Sequence, residues 1–327
     1  HKHPLVQKIA KAREINKAHT TFIDTILKHE HKGRIHADIN PIKSDQGGTV
    51  TGRFSYSNPN LQQIPARNKD LGPMIRGLFI PEKDHTWGCF DYSQQEPRLV
   101  VHYAATTEPI CFNDSVTEIV EKFKDDSVDF HQTVADMANI SRSQAKTINL
   151  GLFYGMGKAK LQAELGLNTK QEAENLFNQY HDNVPFVREL MNRTSSFAQT
   201  SGSIGTLLGR KCRFDKWEPA TFGMHTPMTL EEAERTYGRG RIKRAFTYKA
   251  LNKLIQGSAA DMTKKAMLDL YQEGIIPHIQ IHDELDLSIE SQEQAKKIIE
   301  IMENAVKLTI PNKVDYESGK TWGEING

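Results

Sequence analysis

Cysteine is scarce: Cys89, Cys111 and Cys212 are the only three, an odd number with no C-x-x-C spacing. Neither a disulfide framework nor a cysteine zinc site is supported, and a reducing compartment suits the chain. Long hydrophobic runs are missing as well. No stretch approaches the roughly 18 to 20 apolar residues of a membrane-spanning helix, and the N-terminus lacks an apolar signal-peptide core. The expectation is a soluble cytoplasmic protein, without a membrane partner. An excess of one charge is also lacking. Forty-two Lys+Arg stand against 41 Asp+Glu, a net charge of +1, so the overall balance points to no polyanionic partner. With 38% hydrophobic and 25% charged residues, the 327-residue chain is neither disordered nor low-complexity. Its length suits about two domains, and it opens on His1 rather than Met, which leaves room for a preceding segment.

The positive charge is unevenly spread. It gathers at residues 210–213 and again at 235–244, where Arg235, Arg239, Arg241, Lys243 and Arg244 fall within ten positions. By itself such a cluster reads as a solvated face; beside a nucleic-acid motif it gains weight as a phosphate contact. Two stretches carry strand character. Residues 86–91 (TWGCFD) form a short apolar run followed by a helical pattern over 95–105. Residues 275–290 (IIPHIQIHDELDLSIE) alternate on both sides of a polar His-Asp-Glu tip and predict a β-hairpin. Between them, residues 116–190 and 229–267 are helix-rich, and 292–308 form an amphipathic helix. The simplest arrangement is an α+β protein whose sheet holds both strand stretches, with the helical middle inserted as a separate lobe.

A strand ending in Asp91 and a hairpin tip presenting Asp283 and Glu284 would converge carboxylates on one sheet edge. Mg²⁺ prefers oxygen ligands, and two carboxylates with substrate phosphates make a sufficient site. Taken singly, Asp91 reads as a cap of the next helix and Asp283 and Glu284 as turn residues. Residues 141–157 (SRSQAKTINLGLFYGMG) shift the weight. Ser141 and Gln144 fit a capping box, and Gly155 and Gly157 a helix stop. Arg142, Lys146, Leu150 and Tyr154 recur every four residues, so two cations, an apolar side chain and a phenol share one slowly winding ridge. Such a ridge could clamp a triphosphate near the helix start; it would equally suit an ordinary amphipathic helix. The neighbouring GMGK lacks the full P-loop pattern.

Three segments together resemble the polymerase domain of family A DNA polymerases, the DNA polymerase I family. Residues 91–98 (DYSQQEPR) are similar to its motif A, 142–155 (RSQAKTINLGLFYG) to motif B, and 282–284 (HDE) to motif C. Residues 51–65 (TGRFSYSNPNLQQIP), 252–261 (NKLIQGSAAD) and 206–210 (TLLGR) resemble further family segments, so the likeness covers nearly the whole chain. It implies a right-hand polymerase fold with an antiparallel palm sheet, helical fingers and a partial thumb, acting on primer-template DNA and dNTPs. Residues 1–50 would be a thumb remnant and entry to the palm, 51–115 and 231–327 palm, and 116–230 fingers. Asp91 and Asp283, with the carbonyl of Tyr92, would hold two Mg²⁺ ions, Mn²⁺ being an alternative, and Glu284 would be an accessory carboxylate. Arg142, Lys146 and His131 would grip the triphosphate, Gln94 would join the nucleotide site, and Glu96, bonded to Tyr154, would fill the space of a ribose 2′-hydroxyl. Arg53, Asn60, Gln62, Asn252 and Gln256 resemble readers of the minor groove, and His282 would touch the primer end.

The chain departs from the pattern at Leu150, where most members carry Phe or Tyr, so altered dideoxynucleotide selection is expected. Tyr248 stands where many relatives carry arginine, and the stretch between His131 and Arg142 is short, as in a trimmed fingers lobe. No proofreading is expected from this chain, and a preceding thumb or exonuclease chain or a processivity factor would supply the missing grip. Three other readings compete. A single-subunit RNA polymerase or reverse transcriptase would share the aspartates, but Glu96 and the motif B spacing favour DNA. A metal-dependent phosphohydrolase leaves Arg142 and Lys146 unexplained, and a non-catalytic DNA-binding subunit leaves Asp91 and Asp283 so.

Overall fold

The computed structural model describes residues 3–45, 47–65, 68–107, 113–125, 128–153, 156, 158–221 and 223–325, with side chains except at 113, 150, 152, 153 and 158. Its contacts divide the chain into two units: residues 1–93, 263–305 and 314–327, and residues 94–262 and 306–313.

The first unit is built on a four-stranded antiparallel sheet of β1 (Thr86–Tyr92), β2 (Ile279–Ile281), β3 (Glu284–Ile289) and β4 (Val314–Gly319), in the spatial order β2-β3-β1-β4. Strand periodicity sorts its two faces. Leu285 lies opposite Phe90 and Leu287 opposite Gly88, and Tyr316 stacks on Phe90 with centroids 4.7 Å apart. Against that face lies the helix Gln292–Asn304, burying Ala295, Ile298 and Met302. Burying a side chain such as Ile298 contributes roughly 1.5–3 kcal/mol. Gly88 is needed because a Cβ there would stand 2.5 Å from Ile289 Cγ1. The other face carries Trp87 and Cys89 into a cluster with Tyr56, Ile75, Ile279 and Trp322. The N-terminal segment is helical through Pro4–Lys17, Ala18–Ile23 as a π-helical stretch, and Asp24–His29.

The second unit is mostly helical. It contains Gln95–Thr106, Phe130–Ala138, Arg142–Phe153, Lys170–Asn183, Pro185–Ser201 and the helix Ala250–Gln272 as far as Met262. Local chemistry sets the helix starts. Asp129 accepts from the Gln132 amide, and Thr169 from that of Glu172. Ser141 and Gln144 form the expected reciprocal cap, at 3.0 and 3.2 Å. Short two-stranded ladders join Ser203–Gly205 to Lys211–Arg213 and Trp217–Pro219 to Ile242–Arg244.

The strand and hairpin readings match β1, β2 and β3. The helix expected over 292–308 ends earlier, at Asn304, because residues 306–313 leave for the second unit. Among the described residues no helix is long and apolar enough to cross a membrane.

Candidate active site

Asp91 occupies the penultimate position of β1, with Glu284 opposite on β3 and Asp315 opposite on β4. Directly opposed residues share a face, so three carboxylates line up across the sheet. Asp283 precedes β3 in a turn that His282 makes possible with a positive φ of 57°, and its carbonyl accepts from the Tyr92 amide at 3.2 Å. The sheet therefore brings Asp91, Tyr92, Asp283 and Glu284 together from positions nearly two hundred residues apart. Asp91 does not cap the following helix: Gln94 is its N-cap residue, in the left-handed region.

Burial, followed by the charges of Asp283, Glu284 and Asp315, pushes the Asp91 carboxyl up to about 8. Burial raises Asp283 too, and burial together with Asp286 takes Glu284 to about 8. Asp286, fully buried one ladder step further along, is lifted to about 6, chiefly by burial. It accepts from the Trp87 indole at 3.3 Å and from the Cys89 thiol, whose own ionisation burial suppresses, and it shares a proton-dependent contact with the Glu284 carboxyl. Cys89, Glu284 and Asp286 each bring a ligand atom within 4.8 Å of the others, a trio that excludes Asp91 and Asp283. The protonated thiol serves it as a hydrogen-bond donor.

Glu284 Oε1 and Asp286 Oδ2 are buried without a hydrogen-bond donor among the described residues. Crowded, desolvated carboxylates of this kind gain strongly from a hard divalent cation, and the oxygen donors of Asp91 and Asp283 suit Mg²⁺. The sequence held a signal for Asp286 that the motif reading passed over. In ELDLSI it is a polar residue two positions from Glu284, hence on the same strand face.

The expected phosphate ligands lie in the second unit. Arg142 donates through Nε (3.0 Å) and Nη2 to Asp129, which also caps the helix Phe130–Ala138. His131 is half-buried, and desolvation with the nearby charges of Lys146 and Arg142 holds its imidazole below the usual range despite Asp129. Its Nδ1 lies 3.1 Å from the side-chain nitrogen of Asn149, whose oxygen accepts from the buried Tyr180 hydroxyl. That orientation makes Nδ1 the acceptor and leaves the proton on Nε2. Asn149 is a residue the motif reading missed, although it sits between Ile148 and Leu150 in motif B. Lys146 is exposed on the same helix. The Leu150 side chain and all of Tyr154 lie outside the described residues, as do Gly155 and Gly157, so the expected four-residue ridge is described at Arg142 and Lys146.

Gln94 has a structural task. Its Nε2 donates to the Val128 carbonyl at 2.8 Å, and its Oε1 accepts from the Phe130 amide at 2.7 Å, fixing the approach to His131. Glu96 stands half-buried in the first turn of Gln95–Thr106.

Of the expected groove residues, Arg53 lies close enough to Asp283 to oppose the rise of its pKa. Asn60 accepts from the Gln62 amide, and the Gln62 side chain donates to the Gln280 carbonyl at 3.2 Å. Gln280 in turn donates to the carbonyl of the exposed His282 at 2.7 Å. In the second unit Asn252 and Gln256 fall one turn apart on the helix Ala250–Gln272. The TLLGR segment is clasped to that helix: Asp261 accepts from the Leu208 amide at 3.1 Å and from Arg210 Nε at 3.3 Å.

A sequence profile of DNA polymerase family A matches residues 1–324. The chain is 34% identical to a DNA-directed DNA polymerase of Pseudomonas phage M6, covering 99% of this chain and 52% of that protein. It is 33% identical to the thermostable DNA polymerase I of Thermus filiformis, with 98% and 36% covered. The solved POL domain of Pol1 from M. smegmatis, in complex with DNA primer-template and dNTP, resembles it with a TM-score of 0.77 at 28% identity, over 98% of this chain and 54% of that one. The chain spans between about a third and a half of the curated relatives it matches.

Proposed function

The chain belongs to DNA polymerase family A and has that family's α+β right-hand polymerase fold; from that premise we propose that it catalyses template-directed DNA synthesis, adding dNTPs to a primer 3′ end. The observation that carries the reading is the meeting of Asp91 with Asp283 and Glu284 across β1 and β3. Asp91, Asp283 and the Tyr92 carbonyl would hold two divalent cations, Mg²⁺ or Mn²⁺. When bound, such ions lower the pKa of the primer hydroxyl and neutralise the departing pyrophosphate.

The chain's own side chains do the rest. Arg142, Lys146 and the Nε2 proton of His131 would hold the triphosphate, which competes with Asp129 for the Arg142 guanidinium. Glu96 would occupy the space of a 2′-hydroxyl, beside Tyr154, and Leu150 would lie by the sugar 3′ position. Gln94, assigned above to the nucleotide site, would act through the segment it clasps. Arg53, Asn60, Gln62, Asn252, Gln256 and His282 would line the path of primer and template. In this reading residues 51–115 and 231–327 are palm, 116–230 fingers and 1–50 a thumb remnant. Proofreading is assigned to none of the residues named, and a preceding chain or a processivity factor would add grip on the primer-template.

Primer extension on a defined primer-template with Mg²⁺ and dNTPs or rNTPs tests this. Wild type should extend with dNTPs alone, and Asp91→Ala should lose at least roughly 10³-fold in rate. Extension by Asp91→Ala at the wild-type rate would remove the site named here.

A further inference from the structure

Residues 211–253 contain ten Lys and Arg against five Asp and Glu, a net +5 where the whole chain has +1. The fold gives this stretch a defined shape. Trp217–Pro219 pairs with Ile242–Arg244, Trp217 also exchanges backbone hydrogen bonds with Met228, and the helix Leu230–Tyr237 starts on a Thr229–Glu232 capping box. Gly238, at φ +85°, ends that helix and turns the chain into Arg239–Arg241. The base is tied to the groove helix. Lys253, next to Asn252, donates to the Arg213 carbonyl at 3.3 Å and lies 4.2 Å over the Phe214 ring.

The cations divide into two kinds. Arg244 is structural: it lies 4.5 Å over Trp217 and donates to the Phe214 carbonyl. Lys243 pairs with Glu218 at 3.6 Å. Arg235, Arg239 and Arg241 stand in solvent, Arg239 with its side chain 91% exposed and paired with Glu234 at 3.4 Å. Shortly after them in the chain the surface carries aromatic rings. Phe246 and Tyr248 are 37% and 55% exposed, 6.5 Å apart, with the Lys249 ammonium within 4.9 and 5.5 Å of them. Exposed cations together with exposed rings that carry an ammonium of their own are the chemistry that binds single-stranded nucleic acid: the cations follow phosphates and the rings stack on bases.

We propose that the strand pair Trp217–Pro219 and Ile242–Arg244, the helix Leu230–Tyr237 and the turn Arg239–Arg241, with Phe246 and Tyr248 following in the chain, form an accessory site for the single-stranded 5′ overhang of the template. The inference rests on the polymerase reading and extends it to a surface outside the catalytic constellation. It assigns Arg235, Arg239 and Arg241 to the overhang phosphates.

Fluorescence anisotropy of the full chain tests it, using one labelled primer-template in two forms: blunt, and with a single-stranded 5′ overhang of about 15 nucleotides. The Arg235→Ala, Arg239→Ala, Arg241→Ala triple variant changes exposed side chains, so its melting temperature should match wild type. Wild type should favour the overhang form. The triple variant should lose about tenfold in affinity for it at low salt, with the slope of log K against log salt about 2 smaller in magnitude, and bind the blunt form as wild type does. Unchanged overhang binding would overturn the inference, and equal loss on both forms would overturn its single-strand assignment. Wild type that extends a primer yet shows no overhang preference would overturn it while leaving the polymerase reading intact. Wild type that binds neither form would overturn both.

Discussion

Asp91 and Glu284 face each other from β1 and β3, and burial lifts each to about 8. An acid whose folded-state value exceeds its unfolded value of roughly 4 contributes stability fully below that unfolded value and loses it as pH rises through the folded one. Metal-free wild type should therefore fall progressively below Asp91→Asn in thermal midpoint between about pH 4 and 9. Adding Mg²⁺ at pH 8 should raise wild type and leave the variant nearly unmoved. A parallel pH course for the two proteins would show that burial of Asp91 costs nothing in solution. Asn149 offers a second test at this scale. Its amide joins His131 to the buried Tyr180 hydroxyl, so Asn149→Leu should cost about 1–3 kcal/mol by orphaning that hydroxyl. It should also raise the dNTP KM more than it lowers kcat, and chemical denaturation with steady-state kinetics would separate the two effects.

Helices become useful to the site only where something fixes their starts. The segment leading to His131 is held by Gln94, which bonds Val128 and Phe130 from a left-handed backbone position. Losing both bonds in Gln94→Ala should cost about 2 kcal/mol and speed hydrogen exchange at the Phe130 amide more than in β1. The TLLGR turn depends on a carboxylate 53 positions from Leu208: Asp261 binds its backbone and Arg210 together. Asp261→Ala should destabilise by about 1–3 kcal/mol, since it removes the acceptor of the Leu208 amide while Arg210 keeps the Gly257 carbonyl at 2.9 Å, and a denaturant midpoint close to wild type would contradict that. Both clasps were invisible as pairings, although Gln94, Leu208, Arg210 and Asp261 each stand inside a recognisable motif. A motif names residue types along the chain, and which amide reaches which carbonyl depends on where the backbone turns.

At the scale of the molecule, the chain passes between its two units four times, and the short segment 306–313 separates the helix Gln292–Asn304 from β4. Each unit is assembled from chain segments that the other interrupts, so calorimetry should show one cooperative transition; two well-separated peaks would show units that fold independently. The same topology marks the limit of what could be read along the chain. Periodicity and capping residues alone placed β1, the β2–β3 hairpin, the helix start at Ser141 and the helix that begins at Gln292, because side-chain alternation and N-cap chemistry are local. The motifs named Asp91, Asp283 and Glu284 for the same reason. Tertiary structure decided that Asp315 joins that row, that Asp286 and Cys89 lie behind it, and that Asn149 sets the His131 tautomer. Those relations come from register between strands and from packing between helices distant in sequence, which no local pattern encodes.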